Sequence, residues 1–165
     1  MSTAGETITT GAAPRAVAGV NDSASARAAL RWAIGWAGHT GTRVVAIAVW
    51  EPLVPVVAGP EIGAGVLVAS VPTDEQLQDQ AGQWLDDAIA ALPAGAEQLL
   101  DREVVRGDAT TVLLDAARGA ELLVVGNTRR GALAGALANS VAQRCVHHAR
   151  CPLVLVPDPD DQDSM

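Results

Sequence analysis

The chain has 165 residues, of which 49% are hydrophobic and 18% are charged, and its formal net charge is −8. This composition indicates one globular domain with a single core and excludes a disordered chain. The negative charge argues against a nucleic-acid partner, and the absence of lysine from the sequence excludes Schiff-base chemistry and a Walker-type phosphate loop.

The hydrophobic pattern divides the chain into one domain and two polar tails. Residues 1–14 are predicted to be a flexible tail, residues 15–157 the domain, and residues 158–165 an acidic tail. Short apolar runs predict five strands, at Ala16–Val20, Val44–Trp50, Val104–Val105 with weaker residues before it, Leu122–Val125 and Leu153–Val156. Because the runs are continuous rather than alternating, we expect strands covered on both faces, as in a parallel sheet.

Between the strands, apolar residues take the spacing of helices. Four helices are predicted, over Ser23–Ala37, Thr73–Leu92, Ala109–Arg118 and Ser140 to about His148. Gly38 and Gly41 are expected to end the first helix, and Asp108 to cap the third. The second and fourth helices begin with capping-box spacing, Thr73 with Gln76 and Ser140 with Gln143. Strands and helices alternate, which predicts an α/β fold with a doubly wound parallel sheet and helices on both faces.

The connection from Glu51 to Pro72 is long for a compact domain. It contains four prolines and many valines, and we expect an apolar loop rich in Pro and Gly. Loops of this length are usually lids, partner surfaces or disordered segments. The apolar composition favours packing against a ligand or a second chain, and a mobile segment is the alternative.

The segment Val124–Val141, "VVGNTRRGALAGALANSV", has the outline of a phosphate-binding loop. It leaves a predicted strand, passes three glycines and ends at a predicted helix start. In an open α/β sheet, ligands bind beyond the carboxyl ends of the strands, where the strand order reverses. The loops that begin at Asn21 and after Trp50 are expected at the same place, so the segment lies where an anion could bind a helix N-terminus.

Three segments together resemble the universal stress protein family. They are "AVAGVNDSASARAALRWA", "VVRGDATTVLLDAA" and "LLVVGNTRRGALAGALANSVAQRCVHHARCPLVLVP", and the resemblance covers roughly residues 15 to 157. It implies a Rossmann-like sheet of five parallel strands in the order 3-2-1-4-5 and a dimer in which the last strands of two chains pair. For one branch of the family it also implies ATP bound without a dedicated catalytic apparatus.

That ATP-binding branch carries the motif Gly-x2-Gly-x9-Gly followed by Ser or Thr. Counted from Gly126, the second glycine falls on Arg129, the third on Asn139 and the hydroxyl on Ser140, so two of the three glycines are missing. An Asp that contacts the nucleotide in that branch corresponds to Asn21. The adenine-side residue corresponds to about Val49. Thr128, Arg130 and Val141 are also expected to contact the cofactor.

The missing glycines allow two interpretations of the loop. Glycine lets backbone N–H groups approach phosphate, and Arg129 places a Cβ there, yet its guanidinium and that of Arg130 can bind phosphate bidentately. Asn139 is a milder change because Asn tolerates left-handed backbone, and Ser140 keeps a hydroxyl at the helix start. The other interpretation is a solvated turn in a non-binding member, with Ser140 only a helix cap.

The end of the domain contains possible metal ligands and a predicted edge strand. Cys145, His147, His148 and Cys151 are residue types that bind zinc, but on one helix only Cys145 and His148 share a face, so no metal site is expected. Two cysteines and no run of about 18 apolar residues indicate a cytoplasmic protein without a membrane partner. The strand Leu153–Val156 lies between prolines at an expected sheet edge, which a homodimer would cover.

The sequence therefore predicts a non-catalytic, homodimeric universal-stress-type protein that acts in stress adaptation through an unidentified protein partner. ATP or another adenine nucleotide is expected to bind weakly or not at all. One alternative is an ATP-binding sensor that uses Arg129, Arg130 and Ser140 on the phosphates. The other is a weak ATPase, which the absence of lysine and of an acidic pair placed for Mg²⁺ disfavours.

Overall fold

The computed structural model describes residues 13–54, 71–127 and 140–160. In these ranges strands and helices alternate along the chain, and a short 3₁₀-helix, Ala96–Leu99, precedes the third strand. The elements are β1 Arg15–Val20, α1 Ala24–Thr40, β2 Arg43–Trp50, α2 Asp74–Ala90, β3 Leu100–Arg106, α3 Ala109–Ala116, β4 Leu122–Asn127, α4 Val141–His148 and β5 Leu153–Pro157.

The strands form one parallel sheet in the order β3-β2-β1-β4-β5. In the register, Arg15 of β1 lies opposite Arg43 of β2, and Leu123 of β4 lies opposite Leu153 of β5. From β1 the chain adds β2 and then β3 on one side of the sheet, and it then crosses to the other side of β1 to add β4 and β5. This confirms the predicted strand order and places the switch point between β1 and β4.

Helices cover both faces of the sheet, as predicted. One core cluster joins Ala16 and Val20 of β1 to Leu30 of α1 and Leu85 of α2. The other joins the opposite face of the sheet to α3 and α4, through residues such as Val17, Ile47, Leu113, Leu123 and Cys145. Because alternate residues of β1 enter different clusters, the central strand is buried on both sides, which explains its continuous apolar sequence.

The helix caps follow the predicted pattern. The Thr73 hydroxyl accepts the N–H of Gln76 and the Gln76 side chain accepts the N–H of Thr73, which confirms the capping box of α2. Asp108 accepts the N–H of Thr111 and caps α3. Ser140 accepts the N–H of Gln143 at 3.2 Å, which is one of the two hydrogen bonds of the box expected for α4.

Some predicted element ends were wrong. Helix α1 continues past Ala37 and Gly38 to Thr40, because a helical glycine costs only about 1 kcal/mol, and it ends where Gly41 takes a left-handed φ of 69°. Helices α2 and α3 stop two residues before their predicted ends, at Ala90 and Ala116. Each is followed by a tighter turn, in which a backbone N–H binds the carbonyl oxygen three residues earlier.

The third strand contains the predicted Val104–Val105 and extends through the weaker residues expected before it. It begins at Leu100 and includes Asp101, Arg102 and Glu103, all of them exposed. Among the described strands β3 lies at the edge and pairs only with β2. These three side chains are exposed, so the hydrophobic signal used to predict strands is absent from them.

Several predictions fall on residues that the structure does not describe. Residues 1–12 and 161–165 of the tails and residues 55–70 of the long connection lie outside the described ranges, and the predictions for them stay predictions.

Asp158, assigned to the acidic tail, is buried, and its carboxylate accepts the N–H of Asp160 at 3.0 Å. None of the helices in the described ranges has the length and apolarity that a membrane crossing requires.

Candidate functional site

A cavity of about 280 Å³ opens at the carboxyl ends of β1, β2 and β4. Four of the predicted site residues line it, namely Asn21, Val49, Gly126 and Val141. They come from four different elements or loops, and the sheet order brings them together at the switch point. The cavity is therefore in the position where open α/β sheets bind their ligands.

The remaining predicted site residues lie elsewhere. Ser140 is next to the cavity in sequence but lines a separate depression with Asn127 and Leu155. Thr128, Arg129, Arg130 and Asn139 lie outside the described residues.

The polar corner of the cavity is formed by the turn after β1. The Oδ1 atom of Asn21 accepts the N–H of Ser23 at 2.9 Å, and the Ser23 hydroxyl accepts the N–H of Ala26 at 3.1 Å as the cap of α1. This use of Oδ1 leaves the Nδ2 amide of Asn21 as a donor for a ligand. An aspartate at this position could only accept, so Asn21 changes the hydrogen-bond polarity of this corner.

The apolar walls of the cavity come from both faces of the sheet. Ile47 and Val49 of β2, Leu113 of α3 and Val125 of β4 line it, together with Trp84 of α2. Trp84 also packs against the core, and its helical spacing predicted only that role. No local motif marks it as a site residue, because its position depends on how α2 packs against β2, β3 and β1.

Gly126 is required by packing at the end of β4. A Cβ at this position would lie 2.6 Å from the backbone carbon of Ser25 and 2.6 Å from the backbone nitrogen of Ala26. These are backbone atoms at the beginning of α1, and they cannot rotate away as a side chain can. The first glycine of the loop motif therefore has a structural role whether or not a nucleotide binds.

Asp108 ties α3 to α4 behind the cavity. Its carboxylate accepts the N–H of Thr111 at 2.9 Å, the hydroxyl of Thr111 at 2.8 Å and the Nη1 of Arg144 at 3.1 Å. The hydrogen bond from the Thr111 backbone, followed by those from the Thr111 hydroxyl and Arg144, holds the pKa of Asp108 below its usual 3.8. Ala109, the next residue, lines the cavity, so this network supports its α3 wall.

The two cysteines are unpaired. Cys145 is buried and Cys151 is half-buried, and burial raises the pKa of both thiols, which keeps them protonated and weakly nucleophilic at neutral pH. In the part of the chain that the structure describes, no three His, Cys, Asp or Glu side chains are grouped to hold a metal ion.

Comparison with known proteins agrees with this fold. The model of the universal stress protein family matches residues 14–157. The chain belongs to this family. A universal stress protein of Mycobacterium tuberculosis is 33% identical over 150 residues, which are 87% of this chain and 48% of that protein. The chain thus spans about half the length of the curated relatives it matches.

Solved universal stress protein structures have the same fold. One, in complex with cAMP, gives a TM-score of 0.60 at 20% identity and covers 89% of this chain and 99% of its own. Another, from Archaeoglobus fulgidus in complex with dAMP, gives a TM-score of 0.59 at 18% identity and covers 88% of this chain and 98% of its own.

The close approach at Gly126 predicts the effect of adding a single methyl group. Gly126→Ala should destabilise the protein by roughly 1–3 kcal/mol, because α1 and β4 must separate to admit the Cβ. Gly35→Ala is the matched control, since a Cβ at that helical position meets nothing within 4 Å, and it should stabilise by about 0.5–1 kcal/mol. Urea unfolding measures both, and a Gly126→Ala variant as stable as the wild type would contradict the described packing.

The lowered pKa of Asp108 predicts a pH-dependent stability difference. Asn is an equally good helix cap, but Asp108→Asn removes the negative charge and replaces one of the two oxygens that accept from Arg144 with an NH₂ donor, so at pH 7 it should cost about 1 kcal/mol. A depressed folded pKa stabilises above the ordinary value of 3.8, so the difference from wild type should shrink as the pH falls below that value. Thermal unfolding between pH 2 and 7 measures it, with Asp115→Asn, at an exposed pair with Arg118, as a control of small effect.

Proposed function

We propose that this chain is a non-catalytic regulatory protein that binds an adenine nucleotide in the cavity between β1, β2 and β4. The observation that supports this most is the meeting of Asn21, Val49, Gly126 and Val141 around one cavity at the switch point of the sheet. Its volume of about 280 Å³ suits the base and ribose of a nucleotide, with the phosphates extending toward α4.

The chemistry of the lining fits the parts of an adenine nucleotide. Val49, Trp84 and Leu113 offer an apolar slot for a flat base, and the Asn21 amide offers a donor at its polar end. The first turn of α4 begins at Val141, where free N–H groups and the helix dipole favour a phosphate. Two universal stress proteins of this fold were solved with cAMP and with dAMP, which supports adenine nucleotides as the ligand class.

We propose that the affinity is lower than in a member that has all three loop glycines. Arg129 and Asn139 stand at two glycine positions, so fewer backbone N–H groups can approach a phosphate. The guanidinium groups of Arg129 and Arg130 replace part of that binding by charge-assisted hydrogen bonds. On this proposal the chain senses ATP, with Arg129, Arg130 and Ser140 binding its phosphates.

A role in binding rather than hydrolysis agrees with the charged groups near the cavity. Asp22 is the one carboxylate among the described residues that line it, whereas Mg²⁺-dependent phosphoryl transfer needs further acidic or lysine groups. The chain has no lysine to neutralise a transferred phosphate. We therefore propose that the bound nucleotide changes the surface offered to a partner protein in stress adaptation, and that the reaction of a weak ATPase is not its function.

We also propose that two copies of the chain pair through β5. Leu155 is 36% exposed on this edge strand, and Val146 of the neighbouring α4 is 55% exposed. Within the described sheet β5 pairs only with β4, so its outer edge has free backbone groups next to apolar side chains. A two-fold pairing of Leu153–Val156 would cover both the backbone groups and the apolar side chains.

We also propose a cytoplasmic location, with which the two free cysteines agree.

Nucleotide binding is tested by calorimetry of the full chain with ATP, ADP and AMP. We expect saturable binding of ATP, and about tenfold weaker binding by Arg129→Ala, because a charge-assisted hydrogen bond contributes roughly 1.5–3 kcal/mol. Arg31→Ala, at an exposed position of α1, is the control for loss of one positive charge. Tighter binding by Arg129→Gly would show that the arginine obstructs the loop, and no heat or thermal stabilisation at millimolar ATP would refute nucleotide binding.

Pairing through β5 is tested by light scattering during size exclusion. The wild type should have the mass of two chains, and Leu155→Arg should have the mass of one, because a charge at the paired edge must lose its water. Glu103→Arg, which changes charge on the opposite edge strand β3, should leave the dimer intact. A wild type that is monomeric at all concentrations would rule out this interface.

A further inference from the structure

A second cavity, of about 350 Å³, lies between α3 and α4 and is separate from the nucleotide cavity. We call it the α3–α4 groove. Its lining includes Thr110 of α3 and Arg118, two residues after α3 ends. It also includes Arg144 and His148 of α4 and Arg150, two residues after α4 ends. Neither the sequence patterns nor the proposed nucleotide function accounts for this groove.

The groove concentrates positive charge on an acidic protein. Three arginines line it, in a chain whose formal net charge is −8, and Asp115 is the one carboxylate among its lining residues. Asp115 pairs with Arg118 at 3.0 Å, and Asp108 at the edge of the groove pairs with Arg144 at 3.1 Å. Arg150 has no ion pair or hydrogen bond to the described residues, so its guanidinium is available to an anion.

A fourth arginine reduces the negative potential at one end of the groove. The Nη2 atom of Arg15 donates to the carbonyl oxygen of Ala116 at 3.2 Å and to that of Arg118 at 2.9 Å. These carbonyls belong to the C-terminal end of α3, which carries a partial negative charge that would repel an anion. Because Arg15 binds these carbonyls, the partial negative charge at the end of α3 offsets less of the positive charge of the arginines that line the groove.

Thr110 supplies an independent observation that points to a ligand. It lines the groove and is 2% exposed, and its Oγ1 is a buried side-chain oxygen with no hydrogen-bond partner within the described chain. Buried hydroxyls are nearly always hydrogen-bonded, because an unpaired one loses its water without replacement. Because Oγ1 is closed to solvent, a molecule in the groove can supply the missing partner only when the Thr110 side chain rotates about χ1 toward the groove that the residue lines.

We infer that the α3–α4 groove binds a phosphate dianion, either free or as the head of a small phosphate monoester. Guanidinium groups match the oxygens of phosphate bidentately, and Arg144 keeps N–H donors beyond those that bind Asp108. Arg150 and Arg144 hold the dianion, and the hydroxyl of Thr110 donates to it once its side chain has rotated toward the groove. Leu114, Thr111 and His148 in the lining give the organic part of a monoester both apolar and polar contacts.

Binding of inorganic phosphate and of glycerol 1-phosphate to the full chain tests this site, by calorimetry at constant ionic strength. Both should bind saturably, and Arg150→Gln should weaken both by about tenfold, equivalent to 1.4 kcal/mol, while Arg31→Gln should not. Tighter binding of glycerol 1-phosphate identifies a monoester as the ligand, and equal or weaker binding identifies free phosphate. No saturable binding of either, or an equal loss in Arg31→Gln, would overturn the inference.

Two further measurements separate this site from the nucleotide cavity and from simple charge effects. Saturating cAMP, which is a phosphodiester with a single negative charge and not a monoester, should leave phosphate affinity unchanged, and displacement by cAMP would place the phosphate in the other cavity and defeat the inference. Thr110→Val should weaken phosphate binding several-fold yet raise the unfolding midpoint of the ligand-free protein, because it removes an unpaired buried hydroxyl. A lower midpoint with unchanged phosphate binding would mean that the hydroxyl is already satisfied.

Discussion

The contact between the end of β4 and the beginning of α1 sets the geometry on which the candidate site depends. Gly126 has no side chain there, and the backbone of Ser25 and Ala26 occupies the space a Cβ would need. This contact fixes the distance between β4 and the turn after β1, and therefore the width of the cavity between them. A larger residue would move α1 outward, together with the Asn21 corner and the cap at Ser23.

The fold was predictable because its information is local and repeated. Continuous apolar runs marked the strands, and capping residues such as Thr73 and Asp108 marked the helix starts. The resemblance supplied the strand order, which local patterns do not contain. Prediction failed where local signals were weak, as in the charged edge strand β3, or where a helix tolerated a glycine, as α1 does at Gly38.

The candidate site was only partly predictable, since tertiary packing decides which side chains meet. The resemblance predicted Asn21, Val49, Gly126 and Val141, and these four line the cavity because they lie at the carboxyl ends of strands or begin a helix. Trp84 was not predicted, because a tryptophan on a core-facing helix stripe gives the same pattern whether or not it reaches a cavity. The unpaired state of the Thr110 hydroxyl could not be predicted either, since a missing hydrogen bond is a property of the folded chain.

The charged residues of β3 also limit how far an assembly can grow. The sheet ends at β5 with an apolar edge and at β3 with Asp101, Arg102 and Glu103 exposed. A strand added to the β3 edge would have to strip water from these charges, whereas the β5 edge presents no such barrier. If two chains pair through β5 as proposed, the charged β3 edges of the described sheet would be left outside, and the pair would form a closed unit that does not extend into a fibre.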